Sequence, residues 1–144
     1  MESPFYQVGF VVEDIEAAMA ELSSSIGVTW EPVRDVTIGE WHIRVAFTVE
    51  GPPHLELIEG EPGGPWDTAN GSRIDHIGFW SDDVPADKAA LVASGLPIHV
   101  DGAALGAPHF VYHSAPASGM RVELISSGNR AAFYERLGRP DPGA

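Results

Sequence analysis

Apolar residues alternate with polar or small ones from Phe5 to Val12, then recur at helical spacing at Ile15, Ala18, Met19, Leu22 and Ile26. A period of two in β-forming residues predicts a strand, and the longer period predicts a helix with one apolar face. Asp14 has the short carboxylate of a good N-cap, and Gly27 suits the left-handed turn that commonly ends a helix. Alternation returns over His42 to Val49 and His54 to Ile58, around the turn Gly51-Pro52-Pro53. Residues 61–72, rich in Gly and Pro and ending near Asn70-Gly71, read as a linker. Beyond it the pattern predicts a strand over Ile74 to Ser81, a helix over Pro85 to Ser94 with proline at its start, and a short strand near Ile98. Strands over Phe110 to His113 and Met120 to Ser126 follow, then a terminal helix over Asn129 to Leu137 and a tail, Arg139 to Ala144, expected to fray.

The two halves resemble each other. Without gaps, Gln7 to Gly27 aligns with His76 to Leu96 at an offset of 69 residues, with seven identities that include Gly9/Gly78, Phe10/Phe79 and Asp14/Asp83. Ordinary composition would give roughly one or two. A second match joins HLELIE at 54–59 to RVELIS at 121–126 at an offset of 67. Near-equal offsets mean two tandem modules, about 5–60 and about 73–127, with the same order of elements inside one domain of 144 residues. The fold class expected is α+β, each module a strand, a helix and further strands.

Because successive strand residues point to opposite faces, each strand splits into two sets. One is apolar throughout: Val8, Phe10 and Val12; Ile43, Val45 and Phe47; Leu55 and Leu57; Ile77 and Phe79; Val122 and Leu124. These are expected under the helices. The other set holds Gln7, Gly9 and Val11; His42, Arg44 and Ala46; His54, Glu56 and Ile58; His76, Gly78 and Trp80; Arg121, Glu123 and Ile125. Mixed polarity of this kind suits solvent or a lined cavity, and the repeat favours the cavity. Gln7 and His76 are equivalent positions, as are Glu56 and Glu123, so a twofold relation would bring four metal-competent side chains to one axis. Glycines two residues after Gln7 and His76 leave room beside them for a ligand. Two carboxylates sharing a cavity repel, and a divalent cation is the simplest compensation.

With no cysteine, disulfides, thiolate metal sites and cysteine nucleophiles are excluded, so any metal must rest on nitrogen and oxygen. The net charge of −13 disfavours nucleic acid and anionic membrane surfaces, leaving a small molecule or a protein as the expected partner. Glu2 stands where a secretory leader would carry a basic residue, and no apolar run is long enough to span a bilayer, so a cytoplasmic location beginning at Met1 is expected.

The segments QVGFVVEDIEAA, HLELIEG, HIGFWSDD and RVELIS, in this order and spacing, resemble the vicinal oxygen chelate superfamily, which includes glyoxalase I, methylmalonyl-CoA epimerase, extradiol dioxygenases and bleomycin-resistance proteins. The resemblance runs from Phe5 to about Ser126 and implies two βαβββ modules curving into an open barrel around a metal. Many members carry histidine where this chain has Gln7. The order Gln7, Glu56, His76, Glu123 resembles the ligand set of the animal type of glyoxalase I, and a single histidine argues against extradiol iron chemistry.

A mostly oxygen shell suits one six-coordinate zinc, nickel, cobalt or manganese with two exchangeable waters. A substrate with adjacent oxygens could replace the waters, so that the ion stabilises the enediolate left by proton abstraction next to a carbonyl. By this resemblance Glu123 is the expected base and Glu56 a ligand or second acid/base. Arg44, Arg121, His42 and His54 are candidate grips for an anionic substrate, and Trp80 and Tyr112 a candidate apolar wall, with Trp41 a further aromatic beside them. The expected activity is that of a lyase or isomerase of glyoxalase or epimerase type. The alternative is a drug- or metabolite-binding protein without chemistry. Exposed strand edges suggest a homodimer.

Overall fold

A computed structural model describes residues 4–143. Met1 and Glu2, on which the leader argument rests, and Ala144 lie outside the described residues. The chain runs β1 (Phe5–Val11), α1 (Ile15–Ile26), β2 (Arg34–Ile38), β3 (Trp41–Phe47), β4 (His54–Glu59), β5 (Arg73–Ser81), α2 (Val84–Ala93), β6 (Ile98–Asp101), β7 (Phe110–Ala115), β8 (Met120–Ser126) and α3 (Arg130–Leu137). This is the α+β arrangement of two βαβββ modules that the repeat predicts. The helix starts follow the sequence signals: Asp14 and Asp83 each accept a hydrogen bond at 3.0 Å from the amide three residues on. Gly27 ends α1 at φ 76°, a left-handed conformation in which other residues are strained. Among the described residues no helix is long and apolar enough to cross a membrane.

All eight strands join one sheet in the order β2-β3-β4-β1-β5-β8-β7-β6. The middle strands β1 and β5 are antiparallel, and each pairs in parallel on its other side with the last strand of its own module, β4 or β8. Ile38 and Phe110, near opposite ends of that order, line the same cavity, so the sheet curls into a half-barrel. Its convex side carries α1 over Val12, Ala46 and Leu57, and α2 over Phe79, Val111 and Leu124. The concave side holds the largest apolar cluster, with Tyr6, Phe47, Trp66, Trp80, Tyr112 and Phe133, and α3 packs into it.

Four departures from the sequence reading have local causes. Arg34–Ile38 forms a strand that the pattern does not single out, because its residues lie on an edge where both faces are partly open. The faces of β3 are reversed: Ile43, Val45 and Phe47 look into the cavity, and Ala46 lies under α1. The register requires it, since Phe47 pairs with Glu56 and Val45 with Ile58, and paired residues share a face. The linker is not mere spacer, because Trp66 is buried in the concave cluster with its indole N–H donating to the Tyr112 hydroxyl at 3.2 Å. The tail beyond α3 is also held: Arg139 Nη1 donates to the carbonyls of Val49 and Gly51, and Arg130 pairs with Asp141.

Candidate metal centre and cleft

Strand register places the four candidate ligands. Gln7 lies opposite Gly78, and Gly9 opposite His76, across the β1–β5 pair. A methyl group on Gly9 would lie 2.0 Å from the His76 ring, and one on Gly78 would lie 2.3 Å from the Gln7 side chain. Each glycine thus makes way for the donor of the other module, not for a ligand as the sequence suggested. Glu56 on β4 and Glu123 on β8 flank this pair.

The side chains meet. His76 Nε2 lies 2.9 Å from Glu56 Oε1 and 3.1 Å from Glu123 Oε2, and Gln7 Nε2 donates to Glu123 Oε2 at 2.6 Å. One donor atom each from Glu56, His76 and Glu123 fall within 4.8 Å of one another, and all four residues are buried. His76 Nδ1 faces Asp75 Oδ2 at 2.9 Å, and that carboxylate accepts from Arg121 Nε and Nη2 at 3.2 and 2.5 Å. An imidazole that donates Nδ1–H to a carboxylate presents its Nε2 lone pair to the cluster, the arrangement usual for metal-ligating histidine.

Two buried carboxylates then converge on His76 Nε2, and Gln7 Oε1 is buried with no hydrogen-bond partner among the described residues. A cation among these oxygens and the nitrogen would satisfy all of them, so the residues present fit a divalent ion. The field shows the same demand for positive charge. Burial pushes the Glu56 carboxyl up, opposed by His76, and burial would depress the His76 imidazolium but its hydrogen bonds to Asp75, Glu123 and Glu56 hold it well above the usual range. Burial, then Glu123 and Glu56, raise the Tyr6 and Tyr112 phenols. For Asp75, burial acts upward, but His76 and Arg121 prevail and lower it.

The cluster forms the floor of a cleft of about 200 Å³, whose walls include Tyr6, Trp66, Trp80, Phe110, Tyr112 and Phe133. Of the other candidate residues, Trp80 and Tyr112 line this cleft. His42 and Arg44 do not, because the reversed phase of β3 sends them to the outer face. There His42 pairs with Asp35, and Arg44 bonds to Glu16 with Glu59 nearby. His54 is on the concave side but covered by α3, between the Thr48 carbonyl at 2.9 Å and the Tyr134 hydroxyl at 3.2 Å. Arg121 is committed to Asp75, with its guanidinium carbon 4.3 Å from the centre of the Tyr112 ring.

Strict alternation hides two residues. Tyr6 and Asp75 occupy equivalent places in the repeat, one before Gln7 and one before His76, and each is the extra residue where the β1–β5 register shifts. Such bulges turn a side chain towards the face of its neighbour. The adjacency Asp75-His76 was the available signal, and Trp66 announced itself only as a large aromatic in a turn-rich segment.

A curled sheet of two paired βαβββ modules with donors converging from both defines a vicinal oxygen chelate fold. The chain belongs to the Glyoxalase/Bleomycin resistance protein/Dioxygenase superfamily, whose family model matches residues 6–113. No curated protein matches it in sequence. Among solved structures it resembles a Streptomyces coelicolor methylmalonyl-CoA epimerase bound to 2-nitronate-propionyl-CoA, at 20% identity and TM-score 0.65 over 88% of this chain and 98% of that one. The Mycobacterium tuberculosis methylmalonyl-CoA epimerase is similar at 17% identity and TM-score 0.63, covering 85% and 87%. A 4-hydroxymandelate synthase variant from Streptomyces coelicolor aligns at 15% identity and TM-score 0.60 over 85% of this chain and 48% of its own. At these identities the likeness is one of fold.

Proposed function

We propose that this chain is a metal-dependent lyase or isomerase of glyoxalase or epimerase type that moves a proton on the carbon next to a carbonyl. The observation that carries the reading is the convergence of Glu56, His76 and Glu123, beside the orphaned Gln7 oxygen, on one buried point. Gln7, Glu56, His76 and Glu123 would hold one zinc, nickel, cobalt or manganese ion. When bound, such an ion supplies Lewis acidity that favours negative charge on a substrate carbonyl oxygen.

The chain's own groups do the rest. Glu123 takes the proton through a carboxylate oxygen, and Glu56, its counterpart in the other module, stands across the twofold to return or accept one. Asp75, fixed by Arg121, keeps the His76 ring in one orientation and tautomer. Trp80 and Tyr112 give the substrate an apolar wall and keep water from the exposed carbanion. The likeness to methylmalonyl-CoA epimerases makes acyl thioesters the first substrates to try.

Elemental analysis should find about one divalent ion per chain. Solvent deuterium should enter an acyl thioester, a hemithioacetal or an α-hydroxy ketone next to its carbonyl. A metal-loaded protein that exchanges none of these would defeat the reading and favour the binding-protein alternative, which the aromatic walls alone would suit. The open edges β2 and β6 and the exposed Ile74 and Ile98 support the expected homodimer, and a sedimentation mass of one chain would remove it.

A further inference from the structure

A second polar locus lies at the cleft apart from the metal-competent cluster. Glu31, in the loop before β2, is only 3% exposed and is anchored by its Oε2, which accepts the Phe47 amide at 2.9 Å. Its Oε1 accepts from two arginines at once, Arg34 Nε of β2 at 3.0 Å and Arg136 Nε of α3 at 2.9 Å. Both arginines line the cleft, and their side chains are 33% and 36% exposed. Neither pairs with another carboxylate among the described residues. One negative charge therefore holds two positive ones, a local surplus in a chain whose net charge is −13.

The use of Nε matters. Each guanidinium spends that one donor on Glu31 and keeps its terminal Nη pair, a planar fork suited to two oxygens of a carboxylate or phosphate. The anchored carboxylate fixes where the forks sit, which lowers the ordering cost of binding. The same cleft is also lined by the apolar side chains of Val36, Ile38, Ile43 and Phe110.

We propose that Arg34 and Arg136, clamped by Glu31, form an oxyanion subsite at the cleft, so that the substrate is a small, mostly apolar molecule bearing a carboxylate or phosphate. This rests on the reading of the cleft as a substrate site, but not on the metal. The test is titration calorimetry on EDTA-treated protein with phenylacetate, phenyl phosphate and the neutral phenylacetamide. At least one of the two anions should bind about tenfold more tightly than the amide, as charge-assisted hydrogen bonds require, and which one does so tells carboxylate from phosphate. Arg34→Gln and Arg136→Gln should each remove most of that preference. In the unaltered protein, added NaCl should weaken the anion and spare the amide, a readout independent of how the variants fold. Equal affinity for anions and amide, no binding of any probe, a preference that survives both substitutions, or one indifferent to salt would overturn the proposal. Because metal content and deuterium exchange are measured separately, failure of the subsite and failure of the proposed chemistry remain distinguishable.

Discussion

Glu56 and Glu123 approach the same imidazole nitrogen from either side, yet their surroundings differ. Glu123 also accepts from Gln7, whereas Glu56 touches only His76 among the side-chain donors of the described residues. Glu123→Gln keeps the shape and one acceptor oxygen, which can still receive the Gln7 amide, but replaces the basic carboxylate oxygen with an NH2 group. It should retain metal and lower kcat by about 10²- to 10⁴-fold, the usual contribution of a positioned base; an unchanged steady-state rate would take Glu123 out of the mechanism. The paired glycines give a second expectation. Gly9→Ala forces its methyl against His76 across the sheet, where the ring is already held by Asp75 and cannot retreat. Thermal unfolding should register a loss of about 1–3 kcal/mol, typical of overpacking, together with reduced metal retention. A variant as stable as the parent would mean the strands yield more readily than their register implies. The four donors and these glycines were legible because duplication repeats them at near-equal offsets of 69 and 67 residues, which no single strand would reveal. Tyr6 and Asp75 were not, because a bulge breaks the alternation on which face assignment depends.

At the scale of elements, polarity identified the outward face of a strand only where the inward face differed from it. On β3 composition pointed the wrong way, because the apolar set Ile43, Val45 and Phe47 lines an apolar cleft wall while the small Ala46 packs under α1, and pairing with β4 decides the phase. The same ambiguity misassigned His42 and Arg44. Element order and helix ends were legible because capping chemistry is local to the chain. Contacts between elements were not, and one of them predicts a pH response. Glu50, between β3 and β4, accepts from both the amide and the hydroxyl of Thr29 after α1, at 2.6 Å each. The Thr29 hydroxyl first and its amide second lower the Glu50 carboxyl below its ordinary value. The folded state thus binds the proton less well than the unfolded chain, so this tie adds stability above about pH 4.3 and loses it as the pH falls through the depressed folded value. Glu50 is exposed, and the effect should not exceed about 1 kcal/mol. Urea unfolding between about pH 5 and pH 3 should therefore fall less steeply for Glu50→Gln than for the parent; parallel curves would show that the tie contributes nothing.

At the scale of the whole molecule, the donor cluster is a joint between the halves. Gln7 and Glu56 come from the first module, His76 and Glu123 from the second, and among the described residues the only strands that pair across the module boundary are β1 and β5. The folded chain brings two carboxylates into a buried site, at a cost of several kcal/mol wherever they stay ionised and uncompensated. The unfolded chain has no such site, so an ion that fits it binds the folded form alone and stabilises by linkage, by about 2.7 kcal/mol at a free concentration one hundred times its dissociation constant. For a domain of this size that corresponds to a rise of roughly 5–10 °C in Tm. Melting in EDTA and in excess zinc, nickel, cobalt or manganese should reveal the shift and order the four metals by affinity. His76→Ala should melt at its own EDTA midpoint in every metal, because it removes the nitrogen donor, whatever the loss of the buried ring does to its metal-free stability. If none of the four ions moves the midpoint of the parent chain, the two modules are joined by packing alone and the case for metal-assisted chemistry in this cleft is lost.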